Sequence, residues 1–188
     1  MGPRPGPADG PEAEATEDTE ILDREPGKFC FARWKNVVMQ AWAAQADAAD
    51  LARLRQTLTR GGGFGIRSSI TIVADRLPPP TEAARLAFIE LVNNGAKEIV
   101  CLAIIVHGTG FASSALRSSI TSIRIATGRA FEMTVLASVD ELGPWLPPRH
   151  VERTGVEIDA VRLCDVVRHV ERVAASSAPM LSRPPRDG

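Results

Sequence analysis

"EIVCLAIIV" (98–106) followed directly by "HGTG" (107–110) is the stretch that decides the fold. The first nine residues form the most apolar run in the chain, which suits a strand buried on both faces of a parallel sheet covered by helices. Gly108 and Gly110 allow the backbone to turn sharply. "FASSALRSSITSIRIATG" (111–128) then places apolar residues at helical spacing. The junction therefore predicts a buried strand that turns at once into a helix.

Strand and helix signals alternate on both sides of this junction. Asp47 and Thr81 are predicted to cap two helices, and Ser138 with Glu141 is predicted to form a capping box. The predicted strands cover residues 28–32, 37–42, 66–74, 98–106 and 131–137, and the predicted helices cover residues 47–60, 82–95, 111–128, 138–146 and 156–175.

The order of these elements is ββαβαβαβα plus a terminal helix, and it predicts an α/β fold. Right-handed crossovers would give one mixed, mostly parallel sheet with helices packed on it and an antiparallel strand from the first hairpin. Pro147-Pro148 is expected to end the helix that Ser138 begins. We place the α/β domain at residues 27–150 and a C-terminal helix at residues 151–175, whose valine-rich face packs either on the domain or on a second copy.

Both ends of the chain are predicted to be disordered. Residues 1–26 hold eight acidic and two basic residues and five prolines, which is typical of a solvated acidic tail. The alternative for this tail is that it folds back as an electrostatic autoinhibitor. Residues 176–188 are rich in serine and proline and are predicted to be a second disordered tail.

Length, charge and composition narrow the function classes. The chain of 188 residues is long enough for one domain with a sizeable core. Aromatic residues make up only 5%, which disfavours a nucleic-acid surface built on base stacking, and the basic residues form no dense stripe. No apolar run reaches membrane-spanning length. The interpretation is a cytoplasmic protein that binds neither nucleic acid nor membrane.

The cysteines and histidines give no support for a disulfide framework or a metal site. Cys30, Cys101 and Cys164 are odd in number and have no paired spacing. The three histidines are scattered, and no CxxC or CxxH pattern occurs. We therefore predict no metal and no cofactor.

The HGTG turn has two features of a ligand or catalytic site, a glycine-rich bend and a helix after it. A helix that follows such a turn aims free N–H groups at an anion. However, the dinucleotide fingerprint needs a third glycine where Ser113 stands, and neither GxxxxGK[ST] nor GxSxG occurs. A serine nucleophile would also need His107 held by a carboxylate. We assign no catalytic residue, and a small enzyme or anion-binding protein that uses the turn from His107 to Gly110 remains the alternative.

Several short patterns resemble STAS domains, the fold of bacterial anti-sigma-factor antagonists. They are "VVMQAW" (37–42) with "DLARLRQTL" (50–58), the triple-proline entry to a helix (78–80), the junction "IIVHGTGF…ALRSSIT", and the ending "FEMTVLASVDELGPWL" (131–146). The resemblance covers about residues 28–147 and implies the α/β fold predicted above.

The resemblance also implies a mode of action. STAS domains of this type are not enzymes; they bind a kinase-type regulator or signalling protein and are switched by phosphorylation of a serine or threonine at the start of the helix after the third strand. The matching segment here, "ADRLPPPTEAAR" (74–85), lacks the usual Asp-Ser-Ser/Thr-Gly sequence and offers only Thr81.

We therefore expect a non-enzymatic regulatory module that works through protein–protein interaction and partner switching. A homodimeric structural subunit joined through the C-terminal helix is a further alternative. The candidate interaction or phosphorylation residues are Thr81, Gly108, Thr109, Gly110, Ser113 and Ser114.

Overall fold

One six-stranded mixed sheet organises the chain in the computed structural model, which describes residues 18–60, 65–75, 77–108, 110, 113–118, 120 and 131–176. The elements are β1 (Thr19–Glu25), β2 (Phe29–Trp34), β3 (Val37–Trp42), α1 (Ala48–Thr59), β4 (Arg67–Val73), α2 (Glu82–Gly95), β5 (Ile99–Val106), α3 (113–118 and 120), β6 (Glu132–Leu136), α4 (Leu142–Thr154) and α5 (Ala160–Ala175). A 3-10 turn over Val139–Glu141 precedes α4. The predicted α/β architecture with a C-terminal helix is confirmed.

The strands follow one another across the sheet in chain order, β1 to β6. β1, β2 and β3 pair antiparallel, and β3, β4, β5 and β6 pair parallel. Because right-handed crossovers between successive neighbours all pass on the same side, α1, α2 and α3 share one face of the sheet. α4 and α5 come after the last strand and cover the opposite face. We call these the α1–α3 layer and the α4–α5 layer.

β5 is the buried strand that the opening stretch predicts. It is hydrogen-bonded to β4 on one side and to β6 on the other, with Ile104 opposite Thr71 and Val135. All six residues from Cys101 to Val106 are buried. Ile104 contributes to a core cluster under the α1–α3 layer, and Ile105 contributes to the core under the α4–α5 layer.

Two of the predicted helix caps are present, and one is wrong. The Asp47 carboxylate accepts a hydrogen bond from the Asp50 N–H (2.9 Å), and the Thr81 hydroxyl accepts one from the Ala84 N–H (3.2 Å). Ser138 makes no side-chain capping bond. Glu141 Oε2 accepts instead from the backbone N–H of Ala137 (3.2 Å), one residue before the predicted cap, so the box does not form as predicted.

The expectation that Pro147-Pro148 ends a helix is wrong. α4 continues through both prolines to Thr154 and ends at Gly155, whose φ of 70° is left-handed. Each proline removes one backbone donor. The loss is tolerated because Leu142, Leu146 and His150, spaced four residues apart, are fully buried against the sheet, and packing of such a face outweighs two missing hydrogen bonds. The terminal helix correspondingly begins at Ala160 rather than at 156.

The prediction of a disordered tail through residue 26 is wrong for residues 19–25, which form the edge strand β1. The Lys28 N–H donates to the Glu25 carbonyl (2.9 Å) across a Pro-Gly turn in which Gly27 has a φ of 76°. The turn leads into β2. On β1, the Asp23 carboxylate accepts two hydrogen bonds from Arg53 of α1 (2.6 and 2.7 Å). The three acidic side chains of β1, Glu20, Asp23 and Glu25, are each paired with an arginine. Residues 1–17 and 177–188 lie outside the described residues.

The apolar face of α5 is used within the chain. Leu163, Val166, Val167 and Val170 are each fully buried in the core under the α4–α5 layer. The valine-rich face that could have met a second copy therefore packs on the chain's own sheet.

Candidate functional site

The carboxyl ends of the parallel strands β3, β4 and β5 carry both segments that the sequence singles out. The loop after β4 leads to Thr81 at the start of α2, and the turn after β5 leads through Gly108 and Gly110 to α3. Open α/β sheets bind their ligands at this edge. Thr109 lies outside the described residues.

The turn after β5 is tightly packed against Asp75. Gly108 has a φ of 88°, and a Cβ placed on it would lie 1.8 Å from Asp75 Oδ1 and 3.0 Å from Ser113 Oγ. Arg117 Nη2 donates to the carbonyl oxygens of Val106 (2.9 Å) and Gly108 (3.0 Å), and these two hydrogen bonds stabilise the turn. Glycine is required at 108 because both the backbone conformation and the carboxylate exclude a side chain.

His107 extends from the end of β5 to α5, where its Nε2–H donates to the Glu171 carboxylate. This hydrogen bond, helped by the negative charge of Asp75, raises the pKa of His107 above its ordinary value. The Ser113 hydroxyl donates to the His107 carbonyl oxygen (3.2 Å) and not to the imidazole. The arrangement ties α5 to the sheet and does not form the serine–histidine–carboxylate relay of a hydrolase.

Two carboxylates therefore flank the turn that resembled an anion site in the sequence. Asp75 packs on Gly108, and Glu171 is bonded to His107. A bound phosphate would meet their negative charge at close range, and like charges oppose binding where water is partly excluded. Arg117 and a protonated His107 offset these charges, so the turn has no excess of positive charge to attract an anionic ligand.

Thr81 stands exposed at the start of α2. Its hydroxyl caps the helix, and the next residue, Glu82, binds Arg85 through two hydrogen bonds (2.8 and 2.6 Å). Arg85 lies four residues after Thr81, so the two side chains share one side of the helix. Leu86 is 52% exposed on the same turn of the helix.

An apolar pocket of about 100 Å³ lies between these two segments, in the α1–α3 layer. The start of α2, the triple-proline segment and α3 wall it, and the sheet forms its floor. Its lining includes Trp42, Thr71, Leu77, Ala84, Phe88 and Leu116. None of the predicted site residues that the structure describes lines the pocket; Pro80 and Ala84 border it beside Thr81, and Leu116 borders it one helical turn after Ser113, which is itself buried.

The pocket floor contains a polar atom that has no partner. Thr71 is 95% buried (5% exposed), and its Oγ1 makes no hydrogen bond. Gln40, opposite Thr71 on β3, likewise has an unpartnered buried Oε1, and it lines a second pocket of about 330 Å³. Phe88 lines both pockets. Two polar positions on the inner face of the sheet thus lie under Phe88.

Trp42, Thr71 and Phe88 were not predicted from the sequence as site residues. A usable signal was present in "SSITIV" (68–73), where polar and apolar residues alternate within a strand that was predicted to be covered by helices. Alternation in such a strand places Ser69 and Thr71 on one buried face, and a buried polar face needs a partner.

The cysteine thiols of the described residues are poorly suited to nucleophilic chemistry. Cys30, Cys101 and Cys164 are free and buried. Burial raises the pKa of each thiol, that of Cys30 to about 11. The reactive thiolate form is therefore disfavoured at neutral pH.

A second histidine, His150, is fully buried in the α4–α5 layer. Its Nε2–H donates to Asn36 Oδ1 (2.8 Å), which leaves Nδ1 to accept from the Ser68 hydroxyl (2.7 Å). The Asn36 amide nitrogen donates to the Ile66 carbonyl (3.2 Å), and this fixes the side on which its oxygen lies. Burial lowers the pKa of His150, so the ring is neutral and holds α4 on β4.

Comparisons of the chain with protein-family models, with curated proteins and with solved structures return no match. In the part of the chain that the structure describes, no three His, Cys, Asp or Glu side chains come together where they could hold a metal ion. None of the helices among those residues combines the length and the apolar character needed to cross a membrane.

Proposed function

We propose that the chain is a non-enzymatic regulatory module that binds a protein partner at the carboxyl ends of its parallel strands, in the manner of the STAS domains it resembles. The observation that carries the proposal is the apolar pocket between the two predicted segments, Thr81 with α2 on one side and the Gly108 turn with α3 on the other. A concave apolar site at this edge is where an α/β sheet offers a binding surface. The partner class expected from the resemblance is a kinase-type regulator or signalling protein.

The state of the reactive side chains favours binding over catalysis. The Ser113 hydroxyl is engaged by the His107 carbonyl, and His107 is engaged by Glu171. Ser68 and His150 form a hydrogen-bonded pair but are both fully buried in the α4–α5 layer. The hydrogen bonds of Ser113 and His107 and those of Ser68 and His150 therefore stabilise the packing of helices on the sheet.

Phosphorylation of Thr81 is the proposed switch. A phosphate on this exposed cap would add about two negative charges at a helix N-terminus, where the helix dipole favours them. Glu82 now holds Arg85, and a phosphate on the same side of the helix would compete with Glu82 for that guanidinium. Since Arg85 lines the pocket, the exchange would alter the rim that the partner contacts.

Site-specific photo-crosslinking tests the partner surface. A benzophenone amino acid replaces Leu86, which is 52% exposed beside Thr81, and in a control protein it replaces Val161, which is 71% exposed on α5. The expected result is that position 86 captures one protein and position 161 does not capture it. Equal capture from both positions, or none from position 86, contradicts the proposed surface.

The identified partner then allows a test of the switch. Thr81→Glu is expected to weaken or strengthen the affinity by at least several-fold, measured by calorimetry. Thr59→Glu is the matched control, since Thr59 is an exposed threonine near the end of α1. Equal affinities of the two variants would remove phosphorylation at Thr81 from the proposal and leave the binding surface standing.

A further inference from the structure

We propose that the apolar pocket is a site for a small neutral ligand that carries one hydroxyl or carbonyl group, and that Thr71 is the residue that recognises this group. The proposal does not depend on the protein partner, because it concerns the interior of the α1–α3 layer and is tested on the purified chain alone. Three observations define the ligand: the volume, the lining and the position of the unpaired polar atom.

The volume and the lining of the pocket determine the size and the apolar character of the ligand. The pocket of about 100 Å³ is walled by Trp42, Phe88 and Leu116 together with other apolar groups. An apolar cavity of about 150 Å³ is known to accept benzene. The pocket is smaller than that cavity but open at its rim, so a ring of six atoms or an aliphatic chain of similar size fits with one edge at the rim.

The unpaired hydroxyl sets the polar group. Thr71 lines the floor of the pocket, and its Oγ1 is enclosed without a hydrogen-bond partner, although nearly all buried polar groups in proteins have one. Rotation about χ1 would turn this hydroxyl toward a ligand in the pocket. A hydroxyl both donates and accepts, so it pairs with an alcohol, a phenol or a ketone. A ligand that brings such a group restores the bond that the free protein lacks.

The charges at the rim indicate that the ligand is neutral. Arg85 is the charged side chain that lines the pocket, and its guanidinium is already bound by two oxygens of Glu82. Gln45, at the same rim, donates its amide hydrogen to the Pro79 carbonyl (2.8 Å). An anionic ligand would therefore have to displace Glu82 from Arg85, whereas a neutral ligand would displace neither bond, and burial of an unpaired charge is strongly unfavourable.

Phenol and toluene are the probes, because they have the same shape and differ only by a hydroxyl in place of a methyl group. Titration of the ¹⁵N-labelled chain is expected to shift amide signals of residues that line the pocket, with Ala84 and Leu116 among them. The dissociation constants of both probes are measured on the wild type and on variants at position 71.

Thr71→Val keeps the shape of the side chain and removes the hydroxyl. The preference for phenol over toluene is expected to fall about 2- to 10-fold in this variant, as one neutral hydrogen bond is lost. Thr71→Ser should keep the preference. Thr134→Val, at a strand threonine of β6 outside the pocket lining, should also keep it.

The outcomes separate the proposal from its rivals. Binding of both probes with a preference that Thr71→Val leaves unchanged would overturn the role of Thr71. The site itself would be overturned if the shifts were confined to residues outside the pocket, or if neither probe bound at millimolar concentration. Such a result would fit a pocket that receives only a side chain of a partner protein. Because Thr71→Val keeps the shape of the side chain and Thr71→Ser removes only one methyl group, both variants are expected to fold, and circular dichroism checks this.

Discussion

Replacement of Gly108 by alanine tests the structure of the turn after β5. A non-glycine residue at a φ of 88° costs about 1–2 kcal/mol. The added Cβ would also lie 1.8 Å from Asp75 Oδ1 and 2.6 Å from Asp75 Cγ, well inside the ~3.5 Å of an ordinary contact, so the carboxylate must move at a further cost of about 1–3 kcal/mol. We expect Gly108→Ala to lower the free energy of unfolding by about 2–5 kcal/mol.

Gly110→Ala provides the matched control, because Gly110 also has a positive φ (108°), but among the described residues no atom lies within 4 Å of the point that an added Cβ would occupy. Gly110→Ala should lower the free energy of unfolding only by the cost of the left-handed backbone conformation, about 1–2 kcal/mol. Urea unfolding followed by circular dichroism measures both, and thermal midpoints should fall by about 2–4 °C per kcal/mol for a chain of this size. In an Asp75→Ala background, the excess cost of Gly108→Ala over Gly110→Ala should fall to the small remainder caused by Ser113 Oγ, which would lie 3.0 Å from the added Cβ. Equal losses for the two glycines in the wild-type background would refute the contact with Asp75.

Three further predictions concern the two histidines and the edge strand. The pKa of His107 is raised, so the stability that its bond to Glu171 provides is fully present below about pH 6.5 and is lost as pH rises through the folded-state pKa. His107→Gln should therefore lower the midpoint of thermal unfolding more at pH 6 than at pH 8.5. The pKa of His150 is lowered, so the unfolded chain takes up a proton first and stability falls as pH drops below about 6.5; His150→Gln should flatten this acid slope, and an unchanged slope would contradict the neutral buried ring. Arg53→Met should cost only about 0.2–1 kcal/mol because the pair with Asp23 is partly exposed, yet it should speed amide hydrogen exchange in β1 selectively.

The parts of the fold that were predictable depend on strong local signals. The apolar run of 98–106 could hardly be anything other than a covered strand, and Asp47 and Thr81 act through bonds within one helical turn. The predictions that are wrong fall where tertiary contacts decide. Pro147-Pro148 breaks an isolated helix, but the burial of His150 and its neighbours keeps this one intact.

The acidic strand β1 and the pocket could not be read from local signals for related reasons. Residues 19–25 look like part of a charged tail until Arg53, 30 positions after Asp23, compensates that carboxylate. The pocket is formed by side chains from three helices and several strands, and no single segment encodes it. Among the pocket residues, Thr71 could have been predicted from the sequence, because it is a polar residue that alternates with isoleucines inside a buried strand.

The two helical layers differ in how completely they are packed, and this difference argues for where function lies. The α4–α5 layer buries Leu142, Leu146 and the valines at its centre completely and pairs both nitrogens of His150. The α1–α3 layer contains the two pockets that Phe88 lines and the unpartnered atoms of Gln40 and Thr71, whereas under the α4–α5 layer Trp34 Nε1 is the buried side-chain atom without a partner among the described residues. Because all crossovers pass on that side, the starts of its helices also gather at the carboxyl edge of the sheet. A layer that contains two pockets and is open at the binding edge can be completed by a ligand or a partner.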